Sequence, residues 1–314
     1  MVINVPVIAD VDVIMAGGSV AAIRAAVELA KQNVSVFGAL PRNYCGDLPG
    51  STLDFHAAMP DLELFPRFPR ELPTPMAFKR LLERKLVDAE IPFFYRCFPV
   101  RRLEDEKGNF AGLLLACRSG LVAVRAKVLL DGSLRRWSST IAGAPRREFV
   151  PGDYTVERIL VGAPAPAESG VEMTQLKPGF SFGGETYPVY RASAPFWFND
   201  GSWREMCRVE GEMRQLCWSS KQVFAPDSCT FALPSTLISG FTPCEKYPFV
   251  TSAEAAMEML KICAPGKEIS IPGEANNFDF AAVRFDNAPR YKNCDKIFTK
   301  NYISRDMKIG DIII

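Results

Sequence analysis

Apolar and polar residues follow clear periods in the first half of this chain and lose regularity in the second. Residues 11–16 are an apolar run ending in Gly17-Gly18, residues 20–32 place apolar side chains at helical spacing, and residues 34–40 are a second apolar run. That order predicts a strand, a tight turn, a helix and a second strand. A proline-punctuated stretch follows over 41–73, with Phe65 and Phe68 interspersed. Thr74-Pro75 then offers an N-cap and a first-turn proline for a helix to residue 88, whose Met76, Phe78, Leu81, Leu82 and Leu86 are amphipathic in spacing. Residues 91–97 read as a short aromatic strand.

Three further runs, 98–103, 110–117 and 121–130, are joined by turns containing Gly108 and Gly120. Tight glycine turns between apolar runs predict an antiparallel meander. Beyond about Arg146 the pattern thins. Residues 164–169 read as a crossover and 180–191 as a strand pair. Residues 203–218 read as a helix that Gly211 weakens. Thr251-Ser252-Ala253-Glu254 is a capping box for a helix to Cys263, stopped by Pro265-Gly266. The tail ending at residues 311–314 carries no assignment.

At the first turn the pattern G-x-G-x-x-G/A maps onto Gly17-Gly18-Ser19-Val20-Ala21-Ala22. Glycine is wanted there because the backbone bends tightly and lets a pyrophosphate reach a helix N-terminus, where amides and the helix dipole bind anions. The first glycine is kept, the second is Ser19 and the third is the tolerated Ala22. A Cβ at Ser19 carries a strain of about 1 kcal/mol or more if φ is positive. The acid that would hold a ribose hydroxyl at the end of the second strand falls at Gly38. A cofactor contact is one reading of Gly17-Gly18, and a packing turn that binds nothing is the other.

Composition adds boundaries. The 314 residues suffice for one large core or two moderate ones, and a division at 1–150 and 151–314 is expected. Hydrophobic content of 48% and charged content of 23% are ordinary for a soluble globular chain. A net charge of +1 gives no electrostatic case for nucleic acid or an anionic membrane. No apolar run reaches the roughly 18–20 residues of a membrane span, and no charged, cleavable leader is read at the N-terminus, so a cytoplasmic location is expected. Nine cysteines without a C-x-x-C pair suggest buried, reduced thiols rather than a disulfide framework or zinc cage. No metal site is expected, because His56 is the sole histidine; it is also the only imidazole available for acid–base work.

Over residues 10–145 the chain resembles the FAD-dependent oxidoreductases with a glutathione-reductase-type flavin domain. Their first strand reads D-V-x-V-x-G-G-G-x-A-G and their second ends near E-x-R. The stretch Asp12-Val13-Ile14-Met15-Ala16-Gly17-Gly18 follows that first pattern. The family's later V-V-I-D-A-T-G-D strand has its counterpart at 128–135, with Asp131 kept, Ser133 for threonine, and Leu134 and Arg135 for the glycine and acid. Ala142-Gly143-Ala144 matches the segment after it. The resemblance implies an α/β fold: a Rossmann-like FAD/NAD(P)-binding domain with a three-stranded antiparallel meander, plus a second α+β region.

The resemblance further implies FAD as cofactor, with its phosphate turn at Gly17, Gly18, Ser19 and Ala22. The adenosine side would approach Gly38, Leu40 and Arg42, the adenine the backbone near Val100, and the flavin end Asp131 and Ser133. Hydride or electron transfer between a small organic substrate and an acceptor follows from that assignment. Family members also return late in the chain with a Gly-Asp strand and a helix N-terminus; no counterpart is read between 146 and 314. The alternative is a non-catalytic, flavoprotein-derived subunit or truncated paralogue acting as a scaffold, with a protein partner or a second copy of itself. Cys45 stands where related flavoproteins approach the isoalloxazine. Trp197, Trp203 and Trp218, with Phe196 and Phe198, read as core or interface, and Arg135-Arg136-Trp137 as a solvated corner.

Overall fold

The computed structural model describes residues 4–56, 72–133, 136–144, 149–224, 230–231, 242–263, 269–270 and 284–286. Phe65, Phe68, Leu134, Arg135, Cys229, Pro265, Gly266, Cys294 and the tail at 311–314 lie outside the described residues. In chain order come β1 (Asn4–Ala16), α1 (Val20–Lys31), β2 (Val36–Leu40), α2 (Asp47–Thr52), α3 (Pro75–Asp88) and β3 (Phe93–Tyr95). Then follow β4 (Phe98–Asp105), β5 (Phe110–Cys117), β6 (Gly120–Asp131), α4 (Trp137–Ile141), β7 (Gly152–Val161), β8 (Glu172–Phe182) and β9 (Glu185–Phe198). The last are α5 (Trp203–Cys217), β10 (Thr230–Phe231), β11 (Phe249–Val250), α6 (Ala253–Leu260), β12 (Ile269–Ser270) and β13 (Arg284–Asp286).

Two compact units emerge, each drawn from separate stretches of chain. The described residues of one fall within Met1–Cys45, Leu82–Pro145 and Gly240–Ile314, and those of the other within Gly46–Leu81 and Arg146–Ser239. The first is a Rossmann-like α/β unit. Its sheet runs β12-β4-β5-β6-β1-β2-β3, with β11 also on β6 and β13 on β1. β1, β2, β3, β6 and β11 pair in parallel, whereas β4, β5 and β6 form the antiparallel meander that the turn glycines predict. Val13, Ile14, Met15 and Ala16 are completely buried, as a parallel strand covered on both faces requires, so this end of β1 is continuously apolar rather than alternating. α1 buries Val20, Ala22, Ile23, Ala25, Ala26 and Leu29 on one face. Sequestering Ile23 and Leu29 alone contributes roughly 1.5–3 kcal/mol each.

The helix at 251–263 differs from expectation by one step: Ser252, not Thr251, is the N-cap, its Oγ accepting from the Ala255 amide at 3.3 Å. The two residues of β11 just before it join the first sheet beside Leu129 and Leu130. The chain therefore returns late to β6 with a strand and a capped helix, without a Gly-Asp pair.

The second unit carries an antiparallel sheet in the order β10-β7-β9-β8. β8 and β9 turn on Gly183 (φ 63°) and Gly184 (φ 86°), the positive pair a two-residue hairpin needs. Its core joins Val156, Leu160, Ala192, Ala194 and Phe198 to Met206, Val209, Met213 and Cys217 of α5. Gly211 does not interrupt α5 because it lies on the exposed side, with nothing near its Cβ position.

Candidate nucleotide-binding site at the ends of β1 and β6

β1 and β6 run in parallel with Ala16 opposite Asp131, so the turns that follow them meet. Gly17 has φ +100°, and a Cβ there would lie 2.3 Å from the carbonyl carbon of Gly132 and the amide nitrogen of Ser133. A Cβ on Gly132 would fall 2.3 Å from the Cβ of Ala22. The Gly17 amide donates to the Ala39 carbonyl at 2.9 Å, and the Gly132 amide to the Ala16 carbonyl at 2.8 Å. Both glycines are thus demanded by one turn pressing on the other.

Ser19 corrects an expectation. Its φ is −64°, so its Cβ carries no left-handed strain, and its Oγ caps α1 by accepting from the Ala22 amide at 3.3 Å. The amides of Val20 and Ala21 belong to the opening turn, whose N–H groups have no partner within a helix. With the dipole behind them they favour an anion. The chain passes from β1 to β2 on one side of β1 and enters β6 on the other. Such a reversal of strand order opens the crevice in which doubly wound sheets hold ligands.

Asp131 is buried and fully engaged. One carboxylate oxygen accepts from the Ser133 amide at 2.9 Å and the Ser133 hydroxyl at 2.5 Å. The other accepts from the Ser139 amide at 2.7 Å and from the Ser139 hydroxyl. The Ser133 hydroxyl in turn accepts from the Ser138 amide at 2.9 Å. The carboxylate thereby ties the turn after β6 to the start of α4.

The place of the ribose acid is closed. Gly38 stands between Met15 and Phe93 in the sheet, and a Cβ there would meet the Phe93 Cβ at 2.7 Å and the Met15 Cε at 3.2 Å. Leu40 is buried, and its carbonyl accepts from the Cys97 amide at 3.1 Å. Arg42 is exposed beyond the strand end, with its guanidinium carbon 5.8 Å from the Tyr44 ring centre. Val100 is the extra residue where β4 shifts register against β5, and it packs on the Val5, Leu103 and Leu114 cluster. Gly17, Ser19, Ala22, Asp131 and Ser133 therefore share one locality, Gly38 and Leu40 belong to β2, and Val100 to the meander. Gly132 lies inside the Asp131–Ser133 span that the motif marks, whereas Ser139 and Phe93 carry no sequence signal because their roles depend on packing and register.

Cys45 is buried with Sγ 3.4 Å from the Tyr95 hydroxyl, which donates to Glu83 at 3.1 Å. Burial foremost, then Cys45 and Glu83, pushes the Tyr95 hydroxyl far above its usual pKa. His56 lies in the second unit, its Nε2 3.2 Å from the Pro178 carbonyl and its Nδ1 buried without a partner. Burial holds its pKa below the usual histidine value, against the opposing pull of Pro178 and Asp54. Phe198 belongs to the core, whereas Trp197 and Trp218 are exposed. Among the described residues no cluster of three or more His, Cys, Asp or Glu can hold a metal, and no helix is long and apolar enough to cross a membrane.

No protein-family model matches this chain. No curated protein matches it. Among solved structures, Thermovibrio ammonificans THI4 aligns at 17% identity and a TM-score of 0.33, over 40% of this chain and 58% of that one. L-proline dehydrogenase from P. horikoshii aligns at 10% identity and a TM-score of 0.44, over 82% of this chain and 91% of that one. The flavin-dependent brominase Bmp2 aligns at 15% identity and a TM-score of 0.42, over 59% of this chain and 56% of that one. The strand order and the meeting of the β1 and β6 turns stand on the chain's own geometry.

Proposed function

We propose that the first unit binds FAD, with the pyrophosphate at the start of α1, and that the chain is a flavin-linked oxidoreductase acting on a small organic substrate. The observation that carries this reading is the Gly17–Ser19 turn opening a capped helix at the β1–β6 reversal, beside a three-stranded meander. The residues present fit the phosphates: Val20 and Ala21 offer amides, and Ser19 has a conformation that a side chain tolerates. They do not supply the ribose carboxylate, because Gly38 has no room for one. Lacking such a charge-assisted hydrogen bond costs roughly 1.5–3 kcal/mol, or one to two decades of affinity. Weak binding is therefore part of the proposal.

Bound flavin supplies the hydride or electron transfer, and the protein positions it. In this reading Leu40, Arg42 and Val100 lie on the adenosine side, and Asp131 acts by holding the Ser133 turn in place. The deciding measurement is the visible spectrum of the protein as purified and again after incubation with FAD and desalting, together with a fluorescence titration of free FAD. Flavin bands, or saturable quenching, support the assignment. A colourless protein with no quenching overturns it.

A second reading, a non-catalytic scaffold that keeps the fold, is favoured by the contact of Gly38 with Phe93 and by the fully engaged Asp131. It predicts a colourless protein that co-purifies in a stable complex with a protein partner, or assembles with a second copy of itself.

A further inference from the structure

Cys97 and Cys117 are remote in sequence and opposed in space. β4 and β5 pair antiparallel with Pro99 opposite Leu115 and Phe98 opposite Ala116, and one more step of that register sets Cys97 opposite Cys117. Opposed residues project from the same face of the sheet with Cβ atoms about 4.5–5.5 Å apart. Opposed pairs alternate between those that exchange backbone hydrogen bonds and those that do not. Pro99 has no N–H and cannot be in an exchanging pair, so alternation places Cys97 and Cys117 in the non-exchanging kind. Their backbones agree. The Cys97 amide donates to the Leu40 carbonyl rather than to β5, and Cys117 pairs with Gly120 of β6 on its other side. Non-exchanging pairs have Cα atoms about 4.5 Å apart, within the range of about 4.4–6.8 Å that disulfides span.

Both cysteines are free thiols. Cys97 is completely buried and Cys117 half-buried. Burial first, and the charge of Cys117 second, push the Cys97 thiol up to about 12. The Cys117 Sγ lies 3.1 Å from the Ser119 hydroxyl and donates to the Gly120 carbonyl at 3.4 Å. To meet Cys97 the Cys117 sulfur must leave these contacts by rotating about χ1.

We propose that Cys97 and Cys117 form a reversible cross-strand disulfide when the protein meets hydrogen peroxide. The sulfur of the accessible Cys117 attacks a peroxide oxygen, the O–O bond breaks, one water leaves and Cys117 becomes a sulfenic acid. The Cys97 sulfur then displaces the hydroxyl, the S–S bond forms, and its proton departs with that hydroxyl as a second water. Two thiols lose two electrons and two hydrogens, and the peroxide takes up both. A buried resolving thiol makes the second step slow. Because the Cys97 amide holds the Leu40 carbonyl, the bond ties the β5–β6 hairpin to the end of β2.

The full-length, reduced protein is treated with hydrogen peroxide at a dose that oxidises the exposed Cys207, alkylated, and digested without reductant. The expected product is a Cys97 peptide joined to a Cys117 peptide, with joint loss of alkylation at both positions and recovery on adding dithiothreitol. C117S abolishes the joined peptide and C207S retains it. Recovery of Cys97 and Cys117 as separate alkylated thiols while Cys207 is oxidised overturns the proposal, as does Cys117 joined to another cysteine. The wild-type digest decides the matter alone, so a poorly folding variant does not obscure it.

Discussion

Gly17 and Gly38 stand near the carboxyl ends of neighbouring parallel strands, and neither leaves room for a side chain. At Gly17 the obstacle is backbone: φ is +100° and a Cβ would sit 2.3 Å from the Gly132 carbonyl carbon. At Gly38 the obstacle is side chain, the Phe93 Cβ at 2.7 Å and the Met15 Cε at 3.2 Å. The first glycine is fixed by the turn after β6 and holds two parallel strands in register where they end. The second is fixed by the strand beside it and excludes the acid that a ribose would use. A glycine in a nucleotide motif reports a close approach; its neighbour tells whether ligand or chain is approaching.

The largest expected effect is at the first of these positions. Gly17→Ala combines a left-handed φ with a backbone clash, and a loss of about 3–5 kcal/mol is expected in urea denaturation. A midpoint close to wild type would mean that the turn relaxes away from Gly132, and the contrast with Gly38 would collapse. Asp131→Asn comes next: an amide donor would face the Ser139 or Ser133 amide, for a loss of roughly 2–3 kcal/mol by the same measurement. Gly38→Glu restores the missing acid in sequence only. A loss of about 1–3 kcal/mol with no gain in FAD affinity is expected, and combining it with Phe93→Gly, which removes the opposing Cβ, should cost less than the sum of the two changes. Tighter FAD binding by Gly38→Glu alone would show that β3 yields. Ser19→Gly is the smallest, a few tenths of a kcal/mol from the weakened cap. A clear stabilisation would contradict the unstrained φ of −64°.

Much of the first unit was legible because its signals are local. The apolar period, Gly17-Gly18 and the hairpin at Gly120 each act within a few residues, and β1, α1, β2 and the meander follow from them. The motif also drew attention to Gly17, Ser19, Asp131 and Ser133, which do lie together. The φ of Ser19 was not legible, since Ser and Gly allow different turns and only the cap bond to Ala22 settles which is used. The closure at Gly38 required the register of β2 against β3, and the opposition of Cys97 and Cys117 required that of β4 against β5. β7 gives little sequence signal because its continuous buried stretch, Arg158–Val161, occupies only one end of it and begins with a charged residue. β11 escaped because Phe249 and Val250 are too few to show a period.

Those two residues set an order of events during synthesis. Phe249 and Val250 lie alongside Leu129 and Leu130 of β6, yet β7, β8 and β9 are translated between them. A chain emerging from the ribosome therefore has the strands of its second sheet in hand before it receives β11, and β12 and β13 of the first sheet come later still. Until then the Leu129–Leu130 edge of β6 has no β11 to pair with, and an uncovered apolar strand edge invites other chains. The unit that begins first is completed last.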